Sequence, residues 1–134
     1  MPSIIDVEGI GPAYKKKLKG IGISTTDALL EAGATPKGRK DLAAKTGIGD
    51  ALILEWVNLS DLYRIKGVGS EYSDLLEEAG VDTIVELSKR VPKNLSEKMV
   101  EINTKKKLVR KLPTEAQVAD WVDQAKKLPR KVSY

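Results

Sequence analysis

Apolar residues along this chain recur every three or four positions and rarely every second one. Val7, Ile10, Tyr14 and Leu18 follow that spacing, and Leu52, Trp56 and Leu59 step by four and three, with Leu54 or Glu55 between them making the match looser. Such spacing lines one face of a helix, whereas a half-buried strand would alternate. Thr83-x-x-Glu86 and Thr114-x-x-Gln117 match the capping box, in which two side chains each satisfy a free amide at a helix start. Gly33, Gly47 and Gly80, with Pro92, Pro113 and Pro129, punctuate the pattern, leaving segments of about 8–14 residues. The expectation is an all-α chain of roughly nine or ten short helices.

The pattern also repeats. Gly9-Ile10-Gly11-Pro12-Ala13-Tyr14-Lys15-Lys16-Lys17-Leu18 aligns without a gap on Gly67-Val68-Gly69-Ser70-Glu71-Tyr72-Ser73-Asp74-Leu75-Leu76, an offset of 58 residues. Gly22/Gly80, Ile23/Val81, Thr25/Thr83 and Leu29/Leu87 continue the match, making seven identities over residues 9–29. A second echo sets Asp50–Val57 on Glu115–Val122 and brings Trp56 onto Trp121. The chain therefore divides into two related units, 1–57 and 58–134, the second ending in a C-terminal helix and tail. A length of 134 residues suits two very small units or one ordinary domain.

Composition removes several kinds of chemistry. The chain has no Cys and no His, so thiolate or imidazole zinc sites, disulfides and Ser-His or Cys-His nucleophiles are excluded. No apolar run approaches the roughly 20 residues needed to cross a bilayer, and the start at Met1-Pro2-Ser3 does not read as a signal peptide. A cytoplasmic protein without membrane contact is expected. The net charge is +4, but it is unevenly spread. Residues 9–20 hold Lys15, Lys16, Lys17 and Lys19 and no acid, whereas residues 67–82 hold five acids and no base. Further basic stretches lie at 105–111 and 126–131.

The segment carrying the clearest chemistry is Gly9-Ile10-Gly11 with Pro12 behind it. Two glycines around one apolar residue permit a tight turn between helices, and Ile10 would pin that turn to the core. Amides of the turn and of the following helix start then form an anion site, to which nearby lysines add charge. Leu62–Gly69 and Leu42–Gly49 repeat the pattern, and Asn94-Leu95-Ser96 is a degenerate fourth copy without glycines.

This pattern resembles the helix-hairpin-helix motif of repair glycosylases, polymerases and recombinases. Spread over the whole chain, it looks like a prokaryotic family of unknown function built from tandem helix-hairpin-helix units. The resemblance implies two tandem helix-hairpin-helix units in a SAM-domain-like, (HhH)2 architecture. It also implies hairpin amides that contact DNA phosphates without reading sequence. The implied nucleic-acid-binding residues are Gly9, Ile10, Gly11, Gly47, Gly49, Gly67 and Gly69, with Lys15, Lys16 and Lys19 as helpers. The basic stretch that holds Lys105 and Lys106 reads either as a solvated helix face or as an extension of that phosphate-tracking surface. In that superfamily hairpin carbonyls sometimes hold Na⁺ or K⁺; otherwise no cofactor and no metal is expected.

Charge separates the copies: the first hairpin suits DNA, and the acids around the third repel phosphate. Trp56 and Trp121, like Tyr14 and Tyr72, stand at matched positions, which favours core packing over base stacking. The matched acids Asp50/Glu115 and Glu55/Asp120 suit helix starts and solvated faces. No catalytic residue emerges, because no carboxylate cluster has ligand spacing. The expected function is a non-catalytic, sequence-nonspecific DNA-binding module. The alternative is a protein-interaction or scaffold module using opposite-charge faces, with a partner protein or a second copy.

Overall fold

The computed structural model describes residues 3–7 and 9–134; Met1, Pro2 and Glu8 lie outside the described residues. A 3-10 turn at Ile4–Asp6 precedes eight α-helices, and the described residues contain no strand beyond an isolated bridge between Ser3 and Thr25. The fold is all-α. The helices are α1 (Pro12–Lys19), α2 (Thr26–Ala32), α3 (Pro36–Thr46), α4 (Asp50–Leu62), α5 (Ser70–Glu78), α6 (Ile84–Ser88), α7 (Pro92–Lys106) and α8 (Glu115–Lys127). Their starts follow from local chemistry. Pro12, Pro36 and Pro92 stand in first turns, where a missing N–H costs nothing. Thr25, Thr35, Thr83 and Thr114 accept a hydrogen bond from the amide three residues on. Thr114 and Gln117 form the full capping box. At Thr83 only one half forms, because Glu86 turns its carboxylate to Arg90 at 3.1 Å.

The chain forms two compact units, 1–61 with 130–134, and 62–129. The boundary thus falls four residues later than the 57/58 division read from the repeat, and the tail joins the first unit instead of the second. The reason is visible in the contacts of the last residues. Val132 is buried, and Ser133 donates its amide to the Ala34 carbonyl at 2.8 Å. The buried Arg39 guanidinium donates to the Gly33 carbonyl at 2.8 Å and to the Ser133 carbonyl at 2.7 Å. Tyr134 donates its hydroxyl to Asn58 Oδ1, and its ring lies under the guanidinium groups of both Arg39 and Arg130.

Over residues 9–29 the 58-residue repeat is reproduced in the backbone hydrogen bonds. Ile10 N–H donates to the Val7 carbonyl and Val68 N–H to the Ile65 carbonyl; Lys15 N–H donates to Gly11 and Ser73 N–H to Gly69. Gly22 and Gly80 both take positive φ, and Ile23 and Val81 both donate back into the preceding helix, to Leu18 and Leu76. Within the first unit α1 packs on the 3-10 turn and α2 on α3; within the second, α8 packs on α6 and α7, and α5 on α7. Leu18, Leu29, Ile53 and Trp56 are fully buried in the first unit. Leu75, Leu76, Leu87 and Trp121 lie in the core of the second.

Asn94-Leu95-Ser96 lies inside α7 and forms no turn. Gly47 and Lys107 close α3 and α7 in the same way. Each ends a helix in the left-handed conformation, with φ 73° and 52°, and each donates its amide at 2.8 Å, to Ala43 and Asn103 respectively.

Candidate nucleic-acid interface

At the first hairpin, Gly9 takes φ 93°, Ile10 is 4% exposed, and Gly11 stands in extended conformation as the N-cap of α1. Gly11 has no side chain to cap the helix and Pro12 has no N–H, so the amides of Ala13 and Tyr14 are the helix-start donors without a partner in their own helix. A Cβ on Gly11 would meet nothing within 4 Å. The turn therefore presents open backbone while Ile10 anchors it. Ile10 cannot touch a ligand through its side chain, and its place among the binding residues is that of an anchor.

The second hairpin links α3 to α4. Gly47 takes φ 73°, Ile48 is 3% exposed, and Gly49 is exposed with open space beside it. Thr46 stabilises this turn by donating its hydroxyl to the Leu42 carbonyl at 2.7 Å and accepting the Ile48 amide at 3.2 Å. The third hairpin repeats the first in backbone: Gly67 takes φ 95°, Val68 is buried, and Gly69 caps α5 without a side-chain bond. Its surroundings differ. The Gln124 side-chain amide holds both backbone groups of Lys66, accepting the N–H at 2.8 Å and donating to the carbonyl at 3.1 Å. The third turn thus has a side-chain brace on its backbone and the acids of α5 alongside.

Beneath the hairpins the matched aromatics pair. Tyr14 and Trp56 have ring centroids 5.0 Å apart, and Tyr72 and Trp121 have theirs 5.2 Å apart, both tilted. Neither indole is available for stacking on a base, since both are buried.

The lysines divide into free and engaged groups. Lys16, Lys17 and Lys19 are exposed and Lys15 is half-buried on α1, and none makes an ion pair among the described residues. Lys105 pairs with Glu101 at 3.8 Å on the same helix, an exposed pair of small energetic weight. Lys106 pairs with Glu78 of α5. Lys105 and Lys106, read from the sequence as an extension of the phosphate-tracking surface, thus each stand beside a carboxylate of their own unit. Sequence reasoning passed over Lys45. It stands in the last turn of α3 and, with Lys16, Lys17, Gly20, Ile21 and Thr46, borders an open depression of about 400 Å³. Nothing in linear spacing joins position 45 to positions 16 and 17; only the folded chain brings them to the border of one depression.

Among the described residues no group of three His, Cys, Asp or Glu side chains converges as a metal site. No described helix is long and apolar enough to cross a membrane. A family model described as a domain of unknown function, DUF4332, matches residues 8–128. The chain belongs to the DUF4332 family. The match covers both units, with all three Gly-apolar-Gly turns inside it. No curated protein and no solved structure matches the chain.

Proposed function

We propose that this DUF4332 chain is a non-catalytic, sequence-nonspecific DNA-binding module whose Gly-apolar-Gly turns are helix-hairpin-helix turns, with the first unit carrying the interface. One observation carries this reading. The uncapped start of α1, opened by Gly11, is followed within two turns by four lysines without acidic partners among the described residues. An uncapped helix start is attractive to a phosphate oxygen, and unpaired ammonium groups add a sequence-independent attraction along a backbone. Gly47 and Gly49 supply a second open turn in the same unit. The second unit supports the protein, its third hairpin braced by Gln124.

The alternative, a protein-interaction module using opposite-charge faces, draws on the acids of residues 71–82. Part of that acidic charge is already engaged: Glu78 binds Lys106, and Asp74 and Glu77 each have partners of their own.

Titration of a fluorescent DNA duplex tests the DNA reading. Affinity should fall with salt at a log–log slope of about −0.9 per phosphate contacted. Lys15→Glu/Lys16→Glu/Lys19→Glu should abolish binding while the helical circular dichroism is retained. Absence of binding by the unaltered chain at low salt overturns the reading.

A further inference from the structure

The depression between α1 and α3 has a charge that the fold does not require. Lys16, Lys17 and Lys45 border it without an ion pair among the described residues. Some of this charge answers the helix ends, because Lys16 and Lys17 stand in the last turn of α1 and Lys45 in the last turn of α3. Each such end carries roughly half a negative charge. Three ammonium groups against two helix ends leave a surplus of about two positive charges. Beyond what those two helix ends offset, the remaining positive charge has no ion-pair partner among the described residues.

The internal repeat makes the same point. At the positions equivalent to Lys16 and Lys17, the second unit has Asp74 and Leu75, and α5 forms all the same. Lys16 and Lys17 are thus a feature of the first unit alone. Thr46 is already committed at both ends of its hydroxyl, so the ammonium groups are the free donors of the depression. Ile21, half-buried on its lining, gives an apolar surface beside them.

The ligand that fits is a dianion attached to a partly apolar group. An internal phosphodiester carries one charge, whereas a terminal phosphomonoester carries about −1.5 to −2 at neutral pH. We infer that Lys16, Lys17 and Lys45 form a pocket for the terminal phosphate of a DNA strand, with Ile21 against the terminal sugar. This inference rests on the DNA-binding reading and deepens it: the module prefers strand ends bearing a phosphate to continuous duplex.

The experiment compares one internally labelled duplex in three forms, carrying 5′-terminal phosphates, 3′-terminal phosphates or none. Anisotropy at low salt reads the ratio of affinities. The unaltered chain should bind one phosphorylated form about tenfold tighter than the unphosphorylated duplex, the gain typical of added charge-assisted bonds. Lys17→Gln/Lys45→Gln should bring that ratio to one. Lys93→Gln/Lys98→Gln, which removes equal charge from exposed positions of α7, should leave it unchanged. A ratio of one in the unaltered chain, with DNA still bound, overturns the end pocket and leaves the DNA reading standing. A ratio that survives Lys17→Gln/Lys45→Gln also overturns the pocket. Failure to bind any of the three forms overturns both.

Discussion

The indole nitrogen of Trp56 lies directly under Gly9: a Cβ on that glycine would stand 3.1 Å from Nε1. The same distance separates a Cβ on Gly67 from Nε1 of Trp121. In both units the tryptophan of the last helix closes against the glycine that opens the hairpin, with Tyr14 or Tyr72 beside it. This contact couples the shape of the turn to the core.

Gly9→Ala should therefore destabilise the first unit. Its φ of 93° suits no residue with a Cβ, and the new methyl would press on a buried ring, costing about 2 kcal/mol in all. Thermal unfolding followed by Trp56 emission in a Trp121→Phe background reads it. A shift no larger than that of a surface substitution would show that the contact is loose.

Gly11→Ala separates stability from binding. Its backbone is extended and the space beside it is open, so the loss should stay near 0.5–1 kcal/mol, the penalty of alanine as an N-cap. On the proposed reading DNA affinity should nevertheless fall several-fold, because the methyl stands where a phosphate would approach the amides. Equal binding by this variant would remove the first hairpin from the interface.

Arg39→Lys tests the clasp on the tail. A planar guanidinium reaches Gly33 and Ser133 together, whereas an ammonium on a different stem does not satisfy both carbonyls in that geometry. A loss of about 1–3 kcal/mol is expected from the buried acceptor left unpaired. Trp56 emission in the Trp121→Phe background should record the loss, while Trp121 emission in a Trp56→Phe background, reporting the second unit, should not. Equal losses in both would show that the tail is not confined to the first unit's stability.

Lys107→Gly should stabilise the chain. Lys107 is the sole non-glycine residue with positive φ among the described residues, and that conformation costs a residue with a Cβ about 1–2 kcal/mol. Set against the greater freedom of glycine in the unfolded chain, the net gain should be about 0.5 kcal/mol. Urea unfolding with an unchanged slope and a higher midpoint would show it, and a lower midpoint would contradict it.

Much of the local structure was legible in residue order. Helical spacing placed the helices, Thr and Pro placed their starts, and glycine pairs around one apolar residue placed the three turns. These depend on neighbours within about four positions, where sequence spacing and spatial contact coincide. The matched tryptophans and tyrosines announced themselves as core through the repeat. The misplaced fourth hairpin shows the limit: Asn94-Leu95-Ser96 has no glycine and sits inside α7, while the residue that ends α7 as Gly47 ends α3 is a lysine that sequence preference would not select.

Sequence by itself determined an all-α chain of two related halves, the positions of its hairpin turns, and the sign of charge beside each. Tertiary structure decided which charges remain free. Lys106 is engaged by Glu78 of α5, a residue 28 positions away, and Lys45 borders the same depression as Lys16 and Lys17. It also decided that the last five residues belong to the first unit, through an arginine 94 positions distant. Backbone turns are set by torsions that each residue carries with it, whereas ion pairs and clasps depend on packing that brings distant segments within a few ångströms.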